Sequence, residues 1–196
     1  FVRSSGPELW QREDRSGAPR VGGLHLQYGA DASSEVVVSW HTAARVGNPR
    51  VMFGTPNDGF GETVAADTVT YRDGQSGTEI RVHHARLTGL LPDTDYIYAA
   101  VHDGVSPELG TARTAPRGRA PFRFTSFGDQ STPTLDAMVA DAFGSDNRGS
   151  PAAGDITTAV ENARPLFNLV NGDLCYANLS GDRIRTWSDW FENNSR

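Results

Sequence analysis

Residues 80–103, IRVHHARLTGLLPDTDYIYAAVHD, decide the fold of the first half of this chain. Two runs with strand character, 80–90 and 95–103, flank a turn around Pro92, which predicts two β-strands joined by a tight connection. Outward from this pair, turn residues separate further strand-like runs at 24–28, 35–41, 50–54, 63–72 and 109–114. Short strands with regular turns and no helical stretch predict a β-sandwich over residues 21–115.

The composition limits the classes of function. The chain has 196 residues with a formal net charge of −6, which argues against nucleic acid as a partner. The single cysteine, Cys175, excludes an intrachain disulfide and a cysteine-rich zinc site. No apolar run reaches the ~18 residues of a membrane span. Residues 1–20 are polar and are predicted to form an N-terminal arm.

The pattern changes after a linker at residues 116–121, which contains two prolines and a glycine. Short strands are predicted at 122–127 and 166–171. Helices are predicted at 132–143, 155–164 and 182–192, with Thr132 and Asp155 as caps of the first two. The order β-α-α-β-α is typical of an α/β fold in which parallel strands are buried between helices.

Both predicted strands of this second half end in a Gly-Asp pair, Gly128-Asp129 and Gly172-Asp173. The carboxyl edge of a parallel sheet is where ligands bind in open α/β folds, so the two carboxylates are expected to lie close together there. Two close carboxylates repel each other unless a cation lies between them, which indicates a metal site. The alternative is that each aspartate caps the turn that follows it.

Two stretches resemble a known family. Residues 124–131, FTSFGDQS, and 169–178, LVNGDLCYAN, are similar to the first two metal motifs of calcineurin-like metallophosphoesterases. A tyrosine three residues after the second aspartate, here Tyr176, is typical of the purple acid phosphatases. The pattern Leu90-x-Pro92-x-Thr94-x-Tyr96 resembles the corner of fibronectin type III domains, in which the tyrosine hydroxyl bonds to the backbone. The resemblance covers about residues 20–192.

The resemblance implies a fibronectin type III-like sandwich followed by the first part of an α/β metallophosphoesterase domain at residues 122–196. It also implies a phosphate monoester substrate, which is hydrolysed at a dimetal centre by a metal-bound hydroxide. Asp129 would bind Fe(III), Asp173 would bridge to a divalent Fe, Zn or Mn ion, and Tyr176 would bind the Fe(III) as a phenolate. Family habit further implies a secreted, periplasmic or cell-wall protein.

The chain departs from the family pattern in three respects. Ser131 stands where a glycine is usual, and Cys175 stands where plant members often have serine; we expect Cys175 to be a small buried residue. The family's histidine ligands and a general acid are expected beyond residue 196, in a remaining C-terminal part of the protein. The five histidines of this chain all precede residue 103 and are expected at ordinary strand or surface positions. Without the remaining part, helix 182–192 is expected to expose Trp187 and Phe191.

Two other functions stay open at this point. The chain could belong to another metallophosphoesterase, such as a phosphodiesterase or nucleotidase, although Tyr176 argues against this. It could also be a non-catalytic binding module in which the sandwich contacts a partner and the second half is a degenerate phosphatase remnant.

Overall fold

The computed structural model describes residues 17–130, 132 and 153–195. Their elements, in chain order, are β1 Gly22–Tyr28, β2 Val36–Thr42, β3 Arg50–Gly54, β4 Glu62–Ala65, β5 Asp67–Arg72, β6 Glu79–Leu87, β7 Asp95–Val101, β8 Glu108–Arg113, β9 Phe124–Phe127, α1 Ala153–Asn162, β10 Phe167–Val170, a 3-10 helix Ala177–Leu179 and α2 Arg183–Asn194.

Strands β1 to β8 form the predicted sandwich. One antiparallel sheet has the order β1-β2-β6-β5 and the other has the order β4-β3-β7-β8. The core between the sheets includes Val38, Trp40 and Leu87 from the first sheet and Val51 from the second, each 0 % exposed. Val38 and Trp40 alternate along β2, so one face of this strand supplies the apolar side chains that the two sheets enclose.

One predicted strand, 63–72, is divided between the two sheets. β4 pairs with β3, whereas β5 pairs with β6 in the opposite sheet. The crossover occurs at Ala66, whose backbone N–H donates to the carbonyl of Pro49 at 2.8 Å. Alternation alone could not reveal the division, because a strand keeps the same two-residue period whichever sheet it joins.

The predicted tyrosine corner is present between β6 and β7. The backbone N–H of Leu91 donates to the hydroxyl oxygen of Tyr96 at 2.8 Å. This hydrogen bond fastens the connection to the strand that follows it.

The second half contains a smaller sheet. β9 and β10 pair in parallel, with Val170 opposite Phe127. The expectation that these strands are buried between helices is wrong for the described residues, because Phe124 is 50 % exposed and Leu169 is 48 % exposed. Each strand has only the other as its sheet neighbour there. The assignment of residues 122–196 to an α/β metallophosphoesterase domain therefore stays a prediction.

The helices of the second half differ in part from those predicted. Apart from Thr132, helix 132–143 lies outside the described residues. Asp155 lies in the first turn of α1 rather than at its cap, where its charge still favours the positive end of the helix dipole. Asp182 caps α2, because its carboxylate accepts a hydrogen bond from the N–H of Arg185 at 3.0 Å.

Helix α2 packs against β1 on the outer face of the sandwich. The ring of Phe191 stacks on His25 with 4.6 Å between centroids, and the Glu192 carboxylate accepts from the Gly23 N–H at 3.0 Å and from Arg20 at 3.2 Å. Gly23 has φ +58°, and a Cβ there would lie 2.8 Å from the Phe191 Cβ, so both backbone and space require glycine. The expectation that α2 exposes Phe191 is therefore wrong, whereas Trp187 is 37 % exposed.

Within the described ranges, no helix combines the length and the hydropathy that crossing a bilayer requires.

Candidate metal centre

The ends of β9 and β10 bring the two Gly-Asp pairs to the same sheet edge. The parallel register continues past the strands, because the Asn171 N–H donates to the Phe127 carbonyl at 2.8 Å and the Asp129 N–H approaches the Gly172 carbonyl at 3.4 Å. Asp129 thus lies beside Gly172, and Asp173 lies one residue further along its own chain. The juxtaposition that was predicted from the sequence is present in the structure.

Three candidate ligands share an unusual backbone conformation. Asp129, Asp173 and Tyr176 have φ angles of 55°, 43° and 54°, in the left-handed region. Aspartate tolerates this region better than most residues, but a bulky tyrosine rarely adopts it. Such conformations cost free energy and cluster at functional sites, where they direct side chains. The sequence contains no signal for this feature beyond Gly172, the neighbour of Asp173.

Tyr176 contacts Asp129 directly. Its hydroxyl donates a hydrogen bond to Oδ1 of Asp129. This bond, together with burial and the nearby charges of Asp129 and Asp173, raises the pKa of Tyr176 to about 12. The phenol therefore stays protonated at neutral pH as long as only the two carboxylates surround it.

The donor set fits a hard cation. Two carboxylates and a phenol offer only oxygen ligands, which suit Fe(III), Mn(II) and similar ions. A cation would relieve the repulsion between the carboxylates and would favour the phenolate over the phenol. In the described part of the chain, no group of three or more His, Cys, Asp or Glu side chains could hold a metal ion. The candidate centre is thus two carboxylates and a phenol, which is a partial site.

The histidines take no part in this site. His41, His83 and His102 are buried in the sandwich, and His41 and His83 lie in strands β2 and β6, one of the two kinds of position expected for the histidines. His83 illustrates a structural role: Nε2 lies 2.9 Å from the Thr42 hydroxyl and Nδ1 lies 2.8 Å from the Thr68 hydroxyl. Burial is the main cause that lowers the pKa of His83 to about 4, so the ring is neutral at pH 7.

Cys175 lies between Asp173 and Tyr176 in sequence and is buried. The residue is 1 % exposed and packs with Ala177 and Trp190, as a small buried residue would. Burial raises the pKa of its thiol to about 11. Ser131 lies outside the described residues.

A cavity of about 370 Å³ opens beside the candidate ligands. Its walls include Asp173, Tyr176 and Asn178, together with Arg183 and Trp187 of α2 and Tyr71 of β5. No local pattern places Tyr71 here, because tyrosine is common in strands and β5 is exposed along its length. A larger cavity, of about 680 Å³, lies at the linker and is lined by none of the three candidate ligands.

The sandwich matches a family of known proteins. Residues 21–114 match the family described as Purple acid Phosphatase, N-terminal domain. Two uncharacterized proteins of Mycobacterium tuberculosis, from different strains, are each 69 % identical to this chain over 191 residues. The match covers 97 % of this chain and 36 % of each relative, so the chain spans about a third of their length.

The fold also matches a solved structure. A purple acid phosphatase isolated from yellow lupin (Lupinus luteus) seeds aligns with a TM-score of 0.66 and 19 % sequence identity. The alignment covers 90 % of this chain and 33 % of the lupin chain. At this identity the likeness concerns the fold.

Proposed function

Residues 21–114 belong to the family of purple acid phosphatase N-terminal domains, and from this premise we propose that the chain is the N-terminal part of a metal-dependent acid phosphatase. The proposed substrates are phosphate monoesters. In this proposal residues 21–115 form the sandwich domain, 116–121 the linker and 122–196 the first part of a metallophosphoesterase domain, with a polar arm at 1–20.

One observation carries the proposal. Asp129, Asp173 and Tyr176 come from two adjacent strand ends, all have left-handed backbone conformations, and two of them share a hydrogen bond. A pair of turn caps would explain the aspartates, but it would not explain why a tyrosine in a costly conformation directs its hydroxyl to one of them. Convergence of three oxygen donors is the feature that a cation site requires.

Fe(III) and a divalent Fe, Zn or Mn ion would supply the Lewis acidity that stabilises charge on the phosphoryl oxygens and activates water. The residues of this chain would hold these ions. Asp129 and Tyr176 would be ligands of the Fe(III), and Asp173 would be shared by both ions. The Tyr176 proton, which faces Asp129 in the structure, has to leave before the phenolate can act as a ligand.

The rest of the site is expected in the remainder of the protein. Residues 122–196 contain no histidine, so imidazole ligands and the general acid for the leaving alkoxide would come from beyond residue 196. The family resemblance also supports export to the periplasm, the cell wall or the surroundings of the cell.

The test uses the full-length protein, with iron and the divalent ion quantified before each assay. Tyr176→Phe should remove the visible absorption that a tyrosinate–Fe(III) pair produces, and Asp173→Asn should lower the metal content and the phosphatase activity together. Tyr98→Phe, the same change in the sandwich, should leave the absorption unchanged. An unchanged visible spectrum in Tyr176→Phe would reject the ligand assignment, and phosphatase activity that survives metal removal would reject the proposed function.

A further inference from the structure

The sandwich contributes a side chain to the wall of the candidate centre. The cavity that contains Asp173 and Tyr176 is also lined by Tyr71, which belongs to β5 of the sandwich, and by Arg183 and Trp187 of α2. Its volume of about 370 Å³ lies within the range of small-molecule sites. The two halves of the chain therefore line one space beside Asp173.

Tyr71 lies next to a packed contact between the sandwich and α2. Tyr71 lies opposite Ile80 in the register of β5 and β6, and Ile80 packs against Ile184 of α2. The Glu192 carboxylate anchors the other end of α2 to β1. Strand β5 and the first turn of α2 thus keep a defined separation, so the cavity between them is a built feature of the fold.

The side chains of this wall share a chemistry. Tyr71 is 53 % exposed and Trp187 is 37 % exposed, so both offer aromatic surface to a ligand. Arg183 adds a guanidinium group whose Nε is buried and has no hydrogen-bond partner. Aromatic faces bind planar rings by stacking, and a guanidinium plane stacks on the same rings or pairs with an anionic group. This combination differs from the oxygen donors Asp173 and Tyr176, which line the same cavity.

We propose that this cavity binds the leaving group of the substrate and selects phosphate monoesters of aromatic alcohols, with Tyr71 as a specificity-determining residue. This inference rests on the proposed function. In the reaction a water oxygen bonds to phosphorus and the phosphorus–oxygen ester bond breaks. Inorganic phosphate and the phenol result, and the phenol carries one proton of the water. The phosphoryl group would lie at Asp129, Asp173 and Tyr176 while the aromatic ring lies against Tyr71 and Trp187.

The experiment compares leaving groups in the full-length, metal-loaded protein. We would measure kcat/KM for phenyl phosphate and for ethyl phosphate in the wild type and in Tyr71→Ala, Tyr71→Phe and Val69→Ala. Tyr71→Ala should lower kcat/KM for phenyl phosphate about tenfold and leave that for ethyl phosphate within about twofold, since one stacking contact is lost. Tyr71→Phe should retain the preference because the ring remains. Val69→Ala, a change at an exposed residue of the same strand, should alter neither value.

A binding measurement separates this inference from the proposed function. Calorimetric titration with phenylphosphonate and methylphosphonate should show tighter binding of the phenyl compound, and Tyr71→Ala should abolish the difference. If neither ester is hydrolysed but this preference exists and depends on Tyr71, the proposed function fails and the ring site stands. If hydrolysis is robust but Tyr71→Ala reduces both esters equally or neither, the ring site is wrong and the phosphatase proposal stands.

Discussion

The two halves of the chain bury their apolar residues in different ways. The sandwich encloses a core of its own, in which Val38, Trp40 and Leu87 are 0 % exposed. In the second half the faces of the small parallel sheet are open, and Phe124 and Leu169 are about half exposed (50 % and 48 %). Among the described residues of the second half, α2 and the turn before it contribute buried side chains, and α2 packs against β1 of the sandwich.

This difference indicates which part of the molecule keeps the candidate site rigid. A two-stranded sheet is at most marginally stable by itself. Because Phe191 stacks on His25 and Glu192 accepts from the Gly23 N–H, the sandwich supports α2, and the turn that carries Asp173 and Tyr176 leads into that helix. The sandwich therefore supports the candidate metal centre through α2, in addition to enclosing its own core.

Truncation of one aromatic residue in each half should give the largest difference in stability between the two halves. In the 196-residue chain, Trp40→Ala should lower the free energy of unfolding by about 3–5 kcal/mol, because it empties a buried core position. Phe124→Ala should cost about 1 kcal/mol, chiefly its stacking with Phe167 at 5.4 Å. Urea titration followed by circular dichroism measures both. Similar losses of unfolding free energy at the two positions would contradict the expectation that β9 is less well packed than β2.

Acidification should lower the free energy of unfolding of the sandwich. Burial, then the charges of His25, Arg20 and His83, lowers the pKa of His41 to about 4, against about 6.5 in the unfolded chain. The unfolded state therefore binds the proton first, so stability is complete above pH 6.5 and declines as the pH falls towards 4. The loss is on the order of 3 kcal/mol. Urea midpoints between pH 7 and pH 4 measure it. His41→Gln should reduce the dependence and leave the part that His83 contributes, because the pKa of His83 is also lowered to about 4. A wild-type midpoint that does not change with pH would contradict the buried neutral state.

The smallest expected effect concerns the contact between the halves. Glu192→Ala removes the acceptor of the Gly23 N–H and the partner of Arg20, and should cost about 1–2 kcal/mol. Hydrogen exchange should accelerate across residues 183–194 and stay unchanged in β3 and β7. Glu161→Ala, at an exposed position of α1, is the matched control. Uniformly faster exchange throughout the sandwich would show that α2 and the sandwich open together, which would contradict a local contact.

Local sequence patterns predicted much of the fold, because strand and turn preferences depend on interactions between residues that are close in sequence. The strand at 35–41 and the corner at Tyr96 both appear as expected, since strand patterns and a turn with proline act within a few residues. The division of 63–72 between two sheets and the partial burial of Phe191 against β1 were not predictable in this way. Each depends on which distant surface is available to receive the segment.

For the candidate site, the sequence predicted that two aspartates share one sheet edge. Two Gly-Asp pairs that follow two strands suffice, because parallel strands end at one edge. The tertiary structure alone decided that Tyr176 directs its hydroxyl to Asp129 and that Tyr71 faces the same cavity as Asp173. Tyr71 and Asp173 lie about a hundred residues apart in sequence. No local pattern connects them, because their proximity results from the packing of α2 on the sandwich.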